Sequence, residues 1–216
     1  ARVDAVLERD RHAGEAADWT VLVYMAADND LEKFAIEDLN EMEFAGSSDE
    51  INIVVQVDRA EGNNTADGDW TDTRRYYIVE DLINVTTVDS VFVETLGETN
   101  TGDPATLVDF LTWGIETYPA ERYALFMWDH GNAWQGLAID YSTFDRDGLK
   151  MPELSAALDE ALTATGVDKF DLIGFDACLM GSLEVYDAVA DYVDYAVASP
   201  ELIPDSGMNY FEALAD

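Results

Sequence analysis

Two side chains in this 216-residue sequence could together carry out nucleophilic catalysis on a carbonyl group. Cys178 is the only cysteine, and His130 is one of two histidines. A cysteine sulfur attacks a carbonyl carbon once a nearby histidine takes its proton, so this pair suits acyl-transfer chemistry. Gly131 follows the histidine, and its N–H and that of Cys178 could stabilise an oxyanion. A lone cysteine is also commonly a small buried hydrophobic residue, and the spacing does not decide between these interpretations.

Cys178 lies between a predicted strand and a predicted helix. Residues 170–175 form a short apolar run typical of a buried strand, and residues 179–192 carry apolar side chains at helical spacing. We therefore expect the thiol at the start of a helix, where unpaired backbone N–H groups favour the ionised form. The carboxylate of Asp176 opposes ionisation through like-charge repulsion, and the sequence leaves that balance open.

The remaining strands would position this pair. Continuous apolar runs, typical of strands covered on both faces, span residues 19–27, 51–57 and 123–128. Further strands are predicted at residues 73–80 and 195–198, with a small edge hairpin at residues 83–93. Because functional groups gather beyond the carboxyl ends of parallel strands, we expect His130 and Cys178 to lie at one edge of the sheet.

Helices alternate with these strands. Helical spacing of apolar residues predicts helices at residues 31–45, 105–117 and 151–165, and Asp28, Asn29 and Asp30 supply capping residues for the first of them. Strands that alternate with helices predict an α/β fold with a mostly parallel sheet.

The charge balance of the chain is strongly acidic. Asp and Glu number 46 against 11 Lys and Arg, which gives a net charge of −35. We interpret an acidic, lysine-poor surface around an ordinary apolar core as adaptation to molar salt, where charge repulsion is screened. Nucleic acids and anionic membranes are poor partners for such a surface because both bind basic patches. A basic substrate would be attracted to it at low salt.

The sequence also suggests where the domain begins and ends. Residues 1–18 are charged and Ala-rich, which predicts a leader or a peripheral helix, and residues 19–216 form the folded domain. The chain does not begin with Met, and its end follows an apolar segment that resembles an interrupted helix. We therefore expect a processed or excised piece of a longer protein, truncated at its C-terminus. No apolar run is long enough to predict a membrane span.

Three stretches resemble one peptidase family. Residues 19–32, 123–136 and 170–185 read WTVLVYMAADNDLE, YALFMWDHGNAWQG and FDLIGFDACLMGSLEV, and they resemble the clostripain family of caspase-like cysteine peptidases. Its signature, a His-Gly after one buried strand and an Ala-Cys after the next, matches His130-Gly131 and Ala177-Cys178. The resemblance implies a three-layer α/β/α sandwich. It also implies a Cys178/His130 dyad that cleaves peptide bonds through a thioester.

The same resemblance implies a preference for Arg or Lys before the scissile bond. The family uses an aspartate two residues before the nucleophile to bind that basic side chain, and Asp176 occupies this position. An alternative role for Asp176 is to cap the following helix. A second acidic pocket residue comes from the loop matched by residues 199–210, where Asp205 is the first candidate and Glu201 the second.

Two further family properties point to particular residues. Family precursors often cut themselves after a basic residue beyond the histidine strand, which here implies Arg146 or Lys150, although both also suit a solvated loop. Calcium dependence is known in the family, and oxygen ligands could come from Asp28, Asp30, Asp145 and Asp147. In so acidic a chain, such a group could equally be ordinary surface. No cofactor is required for the peptidase chemistry itself.

We therefore expect an exported cysteine endopeptidase from a high-salt organism, extracellular or at the cell surface, that acts on peptide or protein substrates with basic residues. One alternative is a binding module or fragment that keeps the caspase-like fold without turnover. Another is a metal-dependent phosphoryl-transfer domain built on Asp28 and Asp58. That alternative predicts indifference to Cys178→Ala, and it leaves the His-Gly and Ala-Cys pairing unexplained.

The acidic composition predicts that the fold weakens when salt is removed. Repulsion among carboxylates grows as the screening length lengthens, so the denaturant midpoint of unfolding should be lower in millimolar than in molar salt. Denaturant titrations at the two salt concentrations measure this, and equal midpoints would contradict it.

Overall fold

Seven strands form one sheet in the computed structural model, which describes residues 16–62, 64–83 and 85–215. In chain order the strands are β1 (Ala17–Ala27), β2 (Ile51–Arg59), β3 (Thr73–Tyr77), β4 (Val91–Gly97), β5 (Ala120–Trp128), β6 (Phe170–Asp176) and β7 (Val193–Val197). Their spatial order is β4-β3-β2-β1-β5-β6-β7. Five adjacent strands are parallel to one another, namely β2, β1, β5, β6 and β7. At one edge of the sheet, β3 pairs antiparallel with β2, and β4 pairs antiparallel with β3.

Helices cover both faces of this sheet. They are α1 (Glu32–Ala45), α2 (Pro104–Thr117), α3 (Met151–Thr165), α4 (Leu183–Val189) and α5 (Tyr210–Leu214). The helices α2, α3 and α4 pack on one face with Leu22 and Tyr24 of β1, whereas α1 and α5 pack on the other with Val23 and Met25. The predicted three-layer α/β/α sandwich is thus confirmed. No helix in the described part of the chain has the length and apolarity needed to cross a membrane.

Most of the predicted elements are present, with shifted ends. The strand β1 begins at Ala17, inside the stretch predicted as a leader, and residues 1–15 of that stretch lie outside the described part of the chain. The predicted edge hairpin at residues 83–93 is wrong, because β4 begins only at Val91 and pairs with β3. Two carboxylates take backbone N–H groups that a strand ladder would use: Asp81 accepts from Ile83, and Glu43 accepts from Ser90.

The strand order places a crevice at the carboxyl ends of the central strands. The first crossover carries the chain from β1 to β2 on one side, and β5 later pairs on the opposite side of β1. Connections that diverge on the two sides of a central strand leave a crevice in which α/β proteins usually bind ligands. The residues that follow β1, β5 and β6 all reach this edge.

Candidate active site

The pairing of β5 with β6 brings the candidate histidine and cysteine together. Trp128 is the register partner of Asp176, and the N–H of Asp129 donates to the carbonyl of Asp176 at 3.2 Å. His130 and Cys178 each follow this pair by two residues, and both line the same cleft at the carboxyl edge of the sheet. The two reactive side chains are therefore neighbours because two parallel strands end in register.

Gly131 packs directly against the backbone of Cys178. A Cβ atom built on Gly131 would lie 2.0 Å from the carbonyl oxygen of Cys178 and 3.0 Å from its nitrogen. No side chain fits at that position without displacing one of the two segments. The absence of a side chain thus permits the peptide after His130 to touch the peptide of the candidate nucleophile.

The segment after Cys178 is a turn rather than the first turn of a helix. Leu179 has a φ of 65°, its N–H donates to the carbonyl of Glu201 at 3.0 Å, and the N–H of Gly181 donates to Ser199 at 2.7 Å. The helix α4 begins only at Leu183, with Ser182 as its N-cap.

Three expectations about this segment are therefore wrong. A helix does not start at residue 179, because the backbone N–H groups there pair with residues 199–201 instead. Helix-end electrostatics also do not act on Cys178, since that effect is confined to the first turn. Asp176 does not cap the helix either, because Ser182 does.

His130 has a carboxylate partner, Asp30, that the local sequence pattern does not reveal. Its Nε2 lies 3.0 Å from Oδ1 of Asp30, and this hydrogen bond is the main cause that lowers the pKa of Asp30. Asp30 follows β1, which neighbours β5 in the sheet. The strand order, once known, could have shown that residues after β1 approach His130.

The residues between β1 and α1 were predicted as helix caps, but they have other partners. The N-cap position of α1 is Leu31, which makes no side-chain capping bond. Asn29 donates to Asp129 at 2.6 Å and accepts from the N–H of Leu31 at 2.9 Å. These bonds join the end of β1 to the end of β5, and they place Asp30 beside His130.

Asp176 is buried at the base of the cleft. Its carboxylate accepts the N–H of Met208 at 3.0 and 3.1 Å, and burial is the largest of the effects that raise its pKa. Gly207 leaves room for it, because a Cβ there would come within 2.6 Å of an Asp176 oxygen. Asp205 lines the same cleft, whereas Glu201 is not among the lining residues.

The loop that carries Asp205 closes the cleft in this conformation. The N–H of Ile203 points to the sulfur of Cys178 at 3.4 Å, and the space left in the cleft is about 30 Å³. At roughly 10–15 Å³ for each water, that space holds about two water molecules. An arginine side chain enters only if this loop moves.

The two basic residues proposed for self-cleavage differ in their surroundings. Arg146 is exposed, has a φ of 50°, and its guanidinium lies over the ring of Tyr141 at 4.1 Å. Lys150 is also exposed, but it caps α3 and its N–H donates to Glu153 at 2.9 Å. The bond after Arg146 is therefore in an irregular loop, whereas the bond after Lys150 leads into a helix.

The carboxylates predicted as calcium ligands do not come together as a set. Asp30 pairs with His130, Asp147 accepts from Asn100 at 2.9 Å, and Asp145 is exposed. The structure instead groups Asp28 with Asp58, Glu98 and Asp140, and one oxygen of each lies within 4.8 Å of the others. Burial is the main cause that raises the pKa of Asp58 to about 9 and that of Glu98 to about 7.

The fold and the paired strand ends define a caspase-like α/β protein with a cysteine and a histidine at the carboxyl edge of its sheet. The sequence model of the clostripain family matches residues 23–216. The chain therefore belongs to the clostripain family of cysteine peptidases.

Individual relatives agree with this assignment. Clostripain of Hathewaya histolytica is 31% identical over 188 residues, which cover 77% of this chain and 35% of that protein. A secreted cysteine protease from Bacteroides thetaiotaomicron, solved with an irreversible peptide inhibitor, has a TM-score of 0.75 and 30% identity, covering 92% of this chain and 53% of that one. An inactive zymogen from Parabacteroides distasonis has a TM-score of 0.71 and 26% identity, covering 94% and 54%. The chain thus spans about half the length, or less, of these relatives.

The contact between Gly131 and Cys178 predicts the effect of a single methyl group. Gly131→Ala should lower peptidase kcat/KM by about 100-fold, because the methyl overlaps the Cys178 carbonyl and a shift of about 1 Å in a reacting group costs that much. Gly148→Ala is the matched control, since its Cβ would come no closer than 3.3 Å to a side-chain carbon of Ile139 and 3.5 Å to the carbonyl oxygen of Leu137. Wild-type kinetics for a folded Gly131→Ala variant, checked by circular dichroism, would contradict this account.

Proposed function

We propose that this chain carries the catalytic centre of a cysteine endopeptidase that cleaves peptide bonds after Arg or Lys. The strongest support for this proposal is that β5 and β6 end in register, because this puts His130 and Cys178 in one cleft. Family membership supports the same chemistry and argues against the phosphoryl-transfer alternative.

In the proposed reaction, His130 moves protons through its Nδ1 atom. Asp30 lies at Nε2, so an Nε2–H bonded to that carboxylate leaves the Nδ1 lone pair free to take the thiol proton. The sulfur of Cys178 attacks the carbonyl carbon, and the amine leaves with the proton from His130. Water then attacks the thioester, which releases the acid and restores the thiol.

The oxyanion of each tetrahedral intermediate would be stabilised by the N–H groups of Gly131 and Cys178. The close packing of these two residues supports this role, because it puts both peptides at the same point of the cleft. Donors fixed before the reaction stabilise developing charge without a cost of reorganisation.

Asp176 and Asp205 would bind the basic side chain before the scissile bond. Asp176 is buried at the base of the cleft, and the neighbouring carboxylate of Glu41 contributes to raising its pKa. A guanidinium that pairs with Asp176 would supply the positive charge that this buried carboxylate lacks. Binding requires the loop of residues 199–209 to open, since it now occupies the entrance.

Paired fluorogenic peptides ending in Arg or in Asp test this proposal in molar salt. Wild type should cleave after Arg and not after Asp, and Cys178→Ala should abolish cleavage because it removes the nucleophile. Asp176→Asn should lower kcat/KM for the Arg peptide by roughly 100-fold, as expected for loss of one buried charge partner. Glu201→Gln, outside the cleft lining, is the matched control.

The alternative of a binding module without turnover has one observation in its favour, the closed cleft. A folded wild type that cleaves neither peptide, with or without calcium, would support that alternative and contradict the peptidase proposal.

We propose that self-processing, where it occurs, takes place after Arg146 rather than Lys150. The Arg146 bond lies in an exposed, irregular loop that can extend into a protease, whereas cleavage after Lys150 would require the start of α3 to unfold. Incubation of wild type should yield a fragment that ends at Arg146, and Arg146→Ala should stay intact while Lys150→Ala is cut. Mass spectrometry of the fragments identifies the cleaved bond. Cleavage of the Arg146→Ala variant at the same place as in wild type would contradict the assignment to Arg146.

We also propose that the protein works outside the cell in a high-salt habitat. The relative from Bacteroides thetaiotaomicron is described as secreted, and the net charge of −35 suits screened solvent.

A further inference from the structure

A second pocket opens next to the segment that carries His130. Its volume is about 300 Å³, against about 30 Å³ for the closed cleft beside Cys178. Its wall begins two residues after His130, and the polar and charged side chains in that wall are Asn132, Gln135, Asp145, Arg146, Asp147 and Lys150. A pocket of this size is large enough to take part of a ligand.

Paired backbone segments join this pocket to the candidate active site. Gly131 forms an antiparallel bridge with Leu137, and Leu137 pairs in turn with Leu149 through hydrogen bonds of 3.1 and 2.8 Å. Gly131 itself packs against the backbone of Cys178. The pocket wall therefore has a fixed position relative to both candidate reactive residues.

The two cavities differ in charge. Aspartates at positions 129, 176 and 205 line the cleft beside the thiol, and no Lys or Arg lines it among the residues that the structure describes. Arg146 and Lys150 line the second pocket, although the whole chain has only 11 Lys and Arg. In so acidic a protein, this pocket is the place near the candidate active site where an anionic group meets positive charge.

Both cations have donors to offer a ligand. Lys150 pairs with Glu153 only at 3.4 Å, and its side chain is 62% exposed. Arg146 stacks on the ring of Tyr141, a contact that uses the face of the guanidinium and leaves its N–H edge for hydrogen bonds. Of the two carboxylates in the wall, Asp145 is exposed, and Asp147 accepts from the side chain of Asn100 at 2.9 Å.

The position of the pocket relative to the scissile bond follows from the proposed reaction. His130 gives its proton to the leaving amine, so the residues after the scissile bond lie on the side of the histidine. The residue before that bond lies on the side of Asp176. An extended peptide advances about 3.3 Å per residue, and the pocket wall begins two residues beyond His130. The second residue after the scissile bond therefore reaches the pocket.

We propose that this pocket binds an acidic side chain, Asp or Glu, at the second residue after the scissile bond. Arg146 and Lys150 pair with that carboxylate. The inference rests on the peptidase function proposed above and extends its substrate selection to the leaving-group side. A preferred substrate thus carries a basic residue and, two positions later, an acidic one.

Three peptides that differ only at that residue test the pocket: Arg-Gly-Glu, Arg-Gly-Gln and Arg-Gly-Lys, each in molar KCl. Wild type should cleave the Glu peptide with a kcat/KM about tenfold above that of the Gln peptide, since each of two exposed ion pairs contributes up to about fivefold. The Lys peptide should be the poorest substrate of the three.

Lys150→Gln should lower the Glu-to-Gln ratio by about threefold, because it removes one of the two cations. Lys33→Gln is the matched control and should leave the ratio unchanged. Lys33 has the same 62% exposure as Lys150 and also pairs with a glutamate on its own helix, but it lies outside the pocket wall.

Binding to the Cys178→Ala variant separates this inference from the catalytic proposal, because fluorescence anisotropy of the labelled, uncleaved peptides needs no turnover. The Glu peptide should bind about tenfold more tightly than the Gln peptide, and adding Lys150→Gln should reduce that difference. Retention of this binding preference in a chain that cleaves nothing would contradict the peptidase function and still support the pocket. Equal binding of the two peptides, or a ratio unchanged by Lys150→Gln, would overturn the pocket assignment.

Discussion

The candidate site depends first on the register between β5 and β6. Because Trp128 pairs with Asp176, the residues two positions later, His130 and Cys178, leave the sheet side by side. A shift of one residue would separate the imidazole from the sulfur and would turn alternate side chains of the strand to the other face. Apolar cores on both faces hold this register, since each strand buries residues in both directions. The reactive pair is therefore positioned by the sheet and not by a flexible loop.

A second constraint comes from the residues that follow β1. The side chain of Asn29 joins Asp129 at the end of β5, and Asp30 reaches His130. The buried carboxylates nearby, Asp28 and Asp58, form part of one cluster. In a protein with 46 acidic residues, most carboxylates are solvated surface groups. Those buried at the carboxyl edge of the sheet differ from one another: Asp129 accepts from Asn29 and Asp58 accepts from Thr73, whereas neither carboxylate oxygen of Asp28 has a hydrogen-bond partner among the described residues.

Much of the fold could be predicted from sequence because the central strands are continuous apolar runs. Residues 19–27 and 123–128 fall within β1 and β5, and α3 begins and ends where helical spacing predicts. The His-Gly and Ala-Cys pairs also identified the family. The features that could not be predicted from sequence depend on contacts between distant segments. The helix after Cys178 starts late because Leu179 and Gly181 bond to residues 199–201. The Asp30–His130 bond and the four-carboxylate cluster require the strand order, which local patterns do not contain.

The central claim is that Cys178 is a nucleophile activated by His130 and selective for a basic side chain. Covalent trapping tests it directly: the protein is incubated with a thiol-reactive peptide ending in Arg, and the adduct is located by intact mass and peptide mapping. The account predicts one adduct, on Cys178, formed much faster than with the matching Asp-terminated peptide and slowed in His130→Ala. Labelling at equal rates by both peptides, or labelling of Cys178 unaffected by His130→Ala, would contradict it.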